Sequence, residues 1–98
     1  MLRNAGFAPA WIEERKDIDA ELAASRSNLA RVWMILINAR ATEHERAAEN
    51  RWEQALAAFQ ERVNELNRRI NAWNLKAPAV ALHRKRIDIA DEIDRIRT

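Results

Sequence analysis

Large apolar residues recur through the second half of this chain at alternating spacings of four and three. They are Trp52, Leu56, Phe59, Val63, Leu66, Ile70 and Trp73. This heptad rhythm is typical of a helix that packs along its length against another helix, as in a coiled coil. The pattern therefore predicts helix-on-helix packing over three heptads.

The first half of the chain carries a looser version of the same rhythm. One seam position recurs as Trp11, Ile18 and Val32, and the other as Leu22, Leu29 and Leu36, with Arg15 and Ser25 as polar interruptions. Gly occurs once and Pro twice, a scarcity that favours long helices over sheet. Folding the chain about residue 42 pairs Trp11 with Trp73 and Ile18 with Leu66. We therefore predict an all-α fold built on a long antiparallel, coiled-coil-like helical hairpin.

The predicted boundaries divide one helical domain, residues 1–98, into five parts. They are a lead-in 1–9, a helix 10–41, a helix 43–74, a linker 75–87 and a short helix 88–97. The turn is placed at residues 40–43, where Thr42 and Glu45 fit a capping box. Neither Gly nor Pro lies in this turn, so one uninterrupted helix is the alternative.

Signals near the end of the chain predict how the second and third helices stop and start. Asn74 is expected to adopt the left-handed cap conformation, with Leu75 folded back onto the last turn. Asp88 is expected to cap the short helix, whose apolar face carries Ile89, Ile93 and Ile96. A helix of about ten residues is not stable alone in water. We expect it to dock at the open end of the hairpin, around Trp11, Trp73 and Leu75.

Residues 33–37 read WMILI, more apolar surface than one seam between two helices can bury. Val32 and Leu36 face the predicted seam, whereas Met34 and Ile35 point well away from it, at about 100° per residue. An exposed apolar patch usually marks an interface. We predict a homodimer, with a four-helix bundle as its form. Its predicted self-association residues are Trp33, Met34, Ile35 and Ile37; a different protein is the alternative partner.

The chain has a sequence pI of 9.7, and its positive charge concentrates between Arg62 and Arg86. Seven cations there stand against Glu65 alone, a net charge of +6. Polyanion contact is the alternative function, carried by Arg68, Arg69, Arg84, Lys85 and Arg86. However, a hairpin would lay the acidic start of the first helix beside these residues and compensate them. We therefore expect nucleic acid not to be the main partner.

The remaining residues favour a protein that is not an enzyme. No Cys is present, and neither His44 nor His83 has a nucleophile nearby in sequence. His44 with Glu45 offers too few ligands for a metal ion, and four Trp at helical spacing are typical of packing. We expect no cofactor and no metal. No apolar run approaches the ~18 residues needed to cross a bilayer, and no signal peptide precedes the first helix, so we expect a cytoplasmic protein without a membrane partner.

Two stretches of the chain resemble a known domain. LRNAGFAPAWIEERKDID (residues 2–19) and ELNRRINAWNLKAP (residues 65–78), with Asp88 and Glu92 beyond, are similar to the conserved domain shared by bacterial proteins and the eukaryotic DnaJ homologue subfamily C member 28. The matching positions of the first stretch are Asn4, Ala5, Gly6, Phe7, Pro9, Trp11, Ile12, Glu13 and Lys16. The biochemical function of this domain family is unknown.

The sequence departs from the family pattern in three ways. Ala10 replaces the second proline of a Pro-Pro-Trp motif. The upstream half of the family's domain, with its Gly-Lys-Gly-Lys-Pro-like stretch, has no counterpart here. The His-Pro-Asp tripeptide with which a J-domain stimulates its Hsp70 partner does not occur. The resemblance therefore implies membership of a family with a chaperone-linked name, and the activity of a J-domain cannot be carried over to this chain.

Overall fold

A computed structural model describes residues 10–77 and 79–97. These residues form helices and contain no strand. Its elements are α1 (Ala10–Ala39), α2 (Glu45–Lys76), a short 3-10 helix (Val80–Leu82) and α3 (Ile89–Arg97). The predicted all-α fold is confirmed. The predicted lead-in 1–9 lies outside the described residues.

The two long helices form an antiparallel hairpin whose register is marked by an aromatic pair at each end. At the open end the rings of Trp11 and Trp73 lie 5.8 Å apart between centroids. At the tip the rings of Trp33 and Trp52 lie 5.0 Å apart. One continuous helix could bring neither pair together, because their members are many helical turns apart in sequence. The predicted hairpin is therefore confirmed.

Between these aromatic pairs lies a narrow apolar core. The most completely buried side chains are Trp73, Ile18, Leu22, Leu29, Leu66, Ile70 and Val63, all from the predicted seams. The polar interruption Arg15 also has a structural role, because its guanidinium group lies 5.4 Å from the Trp73 ring centroid. The same group donates a hydrogen bond to the carbonyl of Leu82 at 3.3 Å. Arg15 therefore covers the aromatic end of the core and holds the 3-10 helix beside it.

The turn between the long helices occupies residues 40–44, close to the predicted 40–43. Ala41 has φ 62°, the left-handed region that favours glycine. Its N–H donates to Glu45 Oε1 at 3.2 Å, so the turn is closed by a side chain. A reversal of chain direction is thus achieved without Gly or Pro, at the cost of one residue in an unfavourable conformation.

The predicted capping box is wrong in its details. The hydroxyl of Thr42 donates to the carbonyl of Ala39 and accepts the N–H of His44 at 3.2 Å. Thr42 therefore closes the end of α1 instead of starting α2, which begins at Glu45. The reason is that the left-handed residue at position 41 reverses the chain before position 42 is reached.

The predicted end of α2 is also wrong. The helix continues through Asn74 to Lys76, and Ala77 donates its N–H to the carbonyl of Trp73 at 3.0 Å. Asn74 does not adopt the left-handed conformation, and Leu75 does not fold back, since it is 89% exposed. The side chain of Asn74 is used instead to bind a later part of the chain, as described below.

Asp88 caps α3 as predicted, since its Oδ1 accepts the N–H of Asp91 at 3.2 Å. The predicted docking position of α3 is wrong. The helix packs mainly against α1, with Glu92 on Arg26 and Arg97 over Trp33, which places it along the middle and tip of the hairpin.

The reason lies at the open end, where Trp11 and Arg15 already cover Trp73, a central side chain of the predicted docking position. The three isoleucines of α3, Ile89, Ile93 and Ile96, are instead partly buried against the core farther along. The third helix thus closes one side of the two-helix seam.

Replacing Ala41 by glycine should stabilise the fold by about 0.5–1 kcal/mol, because the left-handed conformation costs glycine almost nothing. Chemical denaturation of both chains measures the difference in free energy of unfolding. Ala41→Val should shift it in the opposite direction, since a β-branched residue tolerates positive φ least. A destabilising effect of the glycine would contradict the left-handed turn.

Candidate interaction surfaces

The WMILI stretch lies near the end of α1, and part of it is buried within the monomer. Val32, directly before the stretch, and Leu36, within it, lie in the seam and are each 5% exposed. Trp33 is 8% exposed and packs on Trp52. The guanidinium groups of Arg40 and Arg97 lie over the Trp33 ring, 5.3 and 5.4 Å from its centroid. A cation–π contact of this kind fixes the end of α3 at the hairpin tip.

Two of the predicted self-association residues remain largely exposed. Met34 is 55% exposed and Ile37 is 40% exposed. They lie three residues apart on α1 and are therefore neighbours on its surface. Ile35 is half-buried against the core on another side of the helix. What α1 leaves for a partner is thus the surface around Met34 and Ile37.

An ion pair holds the centre of α3 on α1. Both guanidinium nitrogens Nε and Nη2 of Arg26 donate to the carboxylate of Glu92, the second at 2.6 Å. Glu92 is 7% exposed, so the carboxylate is one of two buried polar residues in the described core. The hydrogen bond from Arg26 lowers the pKa of Glu92 below its ordinary value of 4.5, against the opposing effect of burial. The two-point geometry fixes the position of α3 along α1 as well as its distance from it.

Two asparagine side chains of α2 bind the backbone of the segment that leads to α3. The side chain of Asn74 accepts the N–H of Arg84 at 2.8 Å and donates to its carbonyl at 3.1 Å. Asn67 makes the same pair of bonds with Ile87, at 2.8 and 3.1 Å. We call residues 83–88 the strap, because they run back along α2 from the open end. Each asparagine satisfies one residue of strap backbone completely.

The spacing of these two clamps matches the geometry of the two segments. Asn67 and Asn74 are seven residues apart, which is about 10.5 Å along a helix. Arg84 and Ile87 are three residues apart, which is about 9–10 Å in extended chain. His83 enters the strap with extended angles, φ −64° and ψ 140°. A helix and an extended chain therefore stay in register over two successive contacts.

The strap and its asparagines were not found from the sequence. Asparagine is a poor helix former, and two of them seven residues apart on one side of an apolar seam are a weak signal of a polar role on that side. The Arg26–Glu92 pair carried even less signal, because arginine and glutamate are frequent throughout this chain.

The basic segment divides into compensated and exposed side chains. The guanidinium group of Arg84 lies 2.8 Å from Asp19, and that of Arg69 bonds Glu21, which raises the pKa of Arg69. The predicted compensation by the acidic start of α1 therefore applies to two of the five predicted polyanion-contact residues. The other three are Arg68, Lys85 and Arg86, which are exposed and have no ion pair within the described parts of the chain.

Neither histidine lies in an evident ligand cluster. His44 Nε2 lies 3.5 Å from Glu43 Oε1 at the hairpin tip, where both side chains are exposed. Within residues 10–77 and 79–97 no three His, Asp or Glu side chains converge on a point where a metal ion could bind. None of the described helices is both long and apolar enough to cross a membrane.

The described chain is thus an all-α helical hairpin with a third helix strapped to one side. The full chain is similar to mouse (Mus musculus) DnaJ homolog subfamily C member 28, with 29% identity over 97 residues, or 99% of its length. The resemblance seen in the sequence is confirmed by this match. The chain spans 24% of the length of the mouse protein. No protein-family model and no solved structure matches the chain.

Removing the side-chain amide of Asn67 should destabilise the fold by about 1–3 kcal/mol, because a buried N–H and carbonyl of Ile87 lose their partners. Asn67→Ala, compared with the parent by thermal and chemical unfolding, measures this. Asn71→Ala is the matched control, since Asn71 is an exposed asparagine one turn away in the same helix. Equal stability of the two variants would show that the strap is not clamped.

The lowered pKa of Glu92 predicts a pH dependence of stability. A carboxylate with a folded pKa below its unfolded value stabilises the fold fully above about pH 4.5, and this is lost as the pH falls through the folded pKa. Glu92→Gln should therefore lose about 1–2 kcal/mol at pH 7. Below pH 4.5 its stability should approach that of the parent. The exposed Glu61→Gln serves as control, and a difference between parent and Glu92→Gln that persists unchanged at pH 2 would contradict the ion pair.

Proposed function

We propose that this chain is a non-enzymatic helical interaction module that self-associates as a homodimer. The observation that supports it is the exposure of Met34 and Ile37, which remain accessible after α3 and α2 have covered the rest of the WMILI stretch. Fully burying an exposed side chain of this size contributes about 1.5–3 kcal/mol. Met34 is 55% and Ile37 40% exposed, so a dimer that covers both on two chains gains about half of that amount for each of four side chains. A chaperone-system protein is the alternative partner, by analogy with the name of the mouse relative. Cytoplasmic location stays a prediction.

The structure of the site changes which residues best test this proposal. Trp33 and half-buried Ile35 have partners inside the monomer, so charge placed there would disturb the fold itself. Met34 is the more informative position because its side chain is exposed and its loss leaves the seam intact.

Met34→Glu should weaken the dimer on the order of 100-fold, since two charges would be buried in place of two apolar side chains. Sedimentation velocity of parent and variant at matched micromolar concentration measures the effect. The control is Leu75→Glu, which places the same charge on an exposed apolar residue in the last turn of α2, at the open end of the hairpin and far from Met34. A monomeric parent would overturn the proposal, and a variant that dimerises as well as the control would show that Met34 lies outside the interface.

Nucleic-acid binding is the second candidate, supported by the exposure of Arg68, Lys85 and Arg86. Its physical signature differs from that of an apolar dimer. Contacts to phosphates weaken steeply as the salt concentration rises, whereas apolar association persists or tightens. Retention on immobilised single- and double-stranded DNA across a salt series, beside sedimentation at the same salt, separates the two.

A further inference from the structure

The exposed pair Met34 and Ile37 belongs to a second stripe of small and apolar residues on α1. The stripe lies on the outer side of the helix, away from α2, and its members alternate spacings of three and four: Ala20, Ala23, Ser27, Ala30, Met34 and Ile37. All are exposed except Ala30, which is half-buried. This is the same rhythm that builds the internal seam, repeated on a face of which five of the six members are exposed. We call it the outer face.

The charge on α1 indicates what can cover this face. Residues 10–21 carry five acids and two cations, a net charge of −3. Residues 22–39 carry two arginines and no acid, a net charge of +2, and Arg40 follows directly after the helix. Several of these groups are paired within the chain, but Asp17 near one end and Arg31 near the other remain exposed. An identical helix laid antiparallel would place the acidic half of one copy beside the basic half of the other, whereas a parallel one would oppose like charges.

We propose that the outer face of α1 is the self-association surface, and that it pairs antiparallel with the outer face of a second copy. The inference rests on the proposed function and specifies its geometry. Heptad positions allow an antiparallel register in which Met34 lies against Ala23 of the second copy and Ile37 against Ala20 of the second copy. Each large side chain then meets a small one, and Ser27 meets Ala30 at the centre of the pair. Small residues at such positions let two helix backbones approach closely.

The two neighbouring registers, one heptad away on either side, are disfavoured by charge. One sets Met34 against Lys16 and Ile37 against Glu13, and so buries charged groups beside the apolar ones. The other brings Arg31 of one copy beside Arg31 of the other, at the heptad position that flanks the stripe, and so makes a like-charge contact near the two-fold axis. The register with Met34 on Ala23 has neither defect. It also leaves Ile35 outside the interface, in keeping with the half-buried position of that side chain.

Disulfide trapping tests the geometry directly, because the natural chain has no cysteine. One chain carries Ala23→Cys and the other Met34→Cys; the two are unfolded, mixed and refolded together before mild oxidation. We expect a covalent heterodimer to form from the mixture and little covalent homodimer from either chain alone. In the antiparallel register the two copies of Cys at one position lie about 16 Å apart along the axis, beyond the reach of a disulfide. In the mixed pair the symmetry-related contact between Met34 and Ala23 stays native.

Each other outcome of this experiment overturns a defined part of the inference. A covalent homodimer of the Met34→Cys chain would show a parallel pair. A parent that sediments as a dimer, with no trapping at either position, would place the interface on another surface while leaving self-association intact. A parent that sediments as a monomer at micromolar concentration would overturn both the outer-face pairing and the proposed function.

Discussion

The apolar seam between α1 and α2 is the interaction on which every other contact of this chain depends. It is long and only two helices wide, so it leaves both of its edges near solvent and cannot by itself enclose a core. Aromatic pairs fix its register at the two ends, and that register sets the places where other parts of the chain can attach. The seam holds the two helices at a constant offset. For this reason α3 can bind Arg26 and Trp33 on α1, and the strap can bind Asn67 and Asn74 on α2.

The strap and α3 attach by a different kind of chemistry from the seam. Their polar contacts are directional, and they include two amide clamps, the ion pair of Arg84 with Asp19, the two-point ion pair of Arg26 with Glu92 and one guanidinium group over an indole ring. Apolar burial by the isoleucines of α3 adds area without specifying position. The hairpin therefore provides most of the burial, whereas the directional contacts determine where a nine-residue helix rests on it.

What could be predicted from the sequence follows from this division. The hairpin was predictable because a heptad repeat is written across many residues, and its register followed from pairing the large side chains about residue 42. The position of α3 was not predictable, because apolar isoleucines fit any apolar surface. The predicted position at the open end was therefore wrong. Asn74 shows the difficulty most clearly: an asparagine beside a proline-containing linker favours a helix cap, yet its amide binds backbone ten residues ahead. Of the site residues, Met34 is exposed as expected, whereas Ile35, also expected to point away from the seam, is half-buried against the core. Trp33 is covered by contacts that periodicity alone could not reveal.

The asparagine clamps have a consequence for how this chain can vary. Both grip the strap by its main chain, at Arg84 and Ile87, so the two residues between them contribute little to holding it in place. Lys85 and Arg86 could change in identity with little effect on folding, whereas inserting or deleting a single residue there would take one clamp out of register. The charge displayed along this edge can therefore drift or be selected independently of the architecture beneath it. The fold constrains the number of residues between the two clamps and not their amino-acid identity.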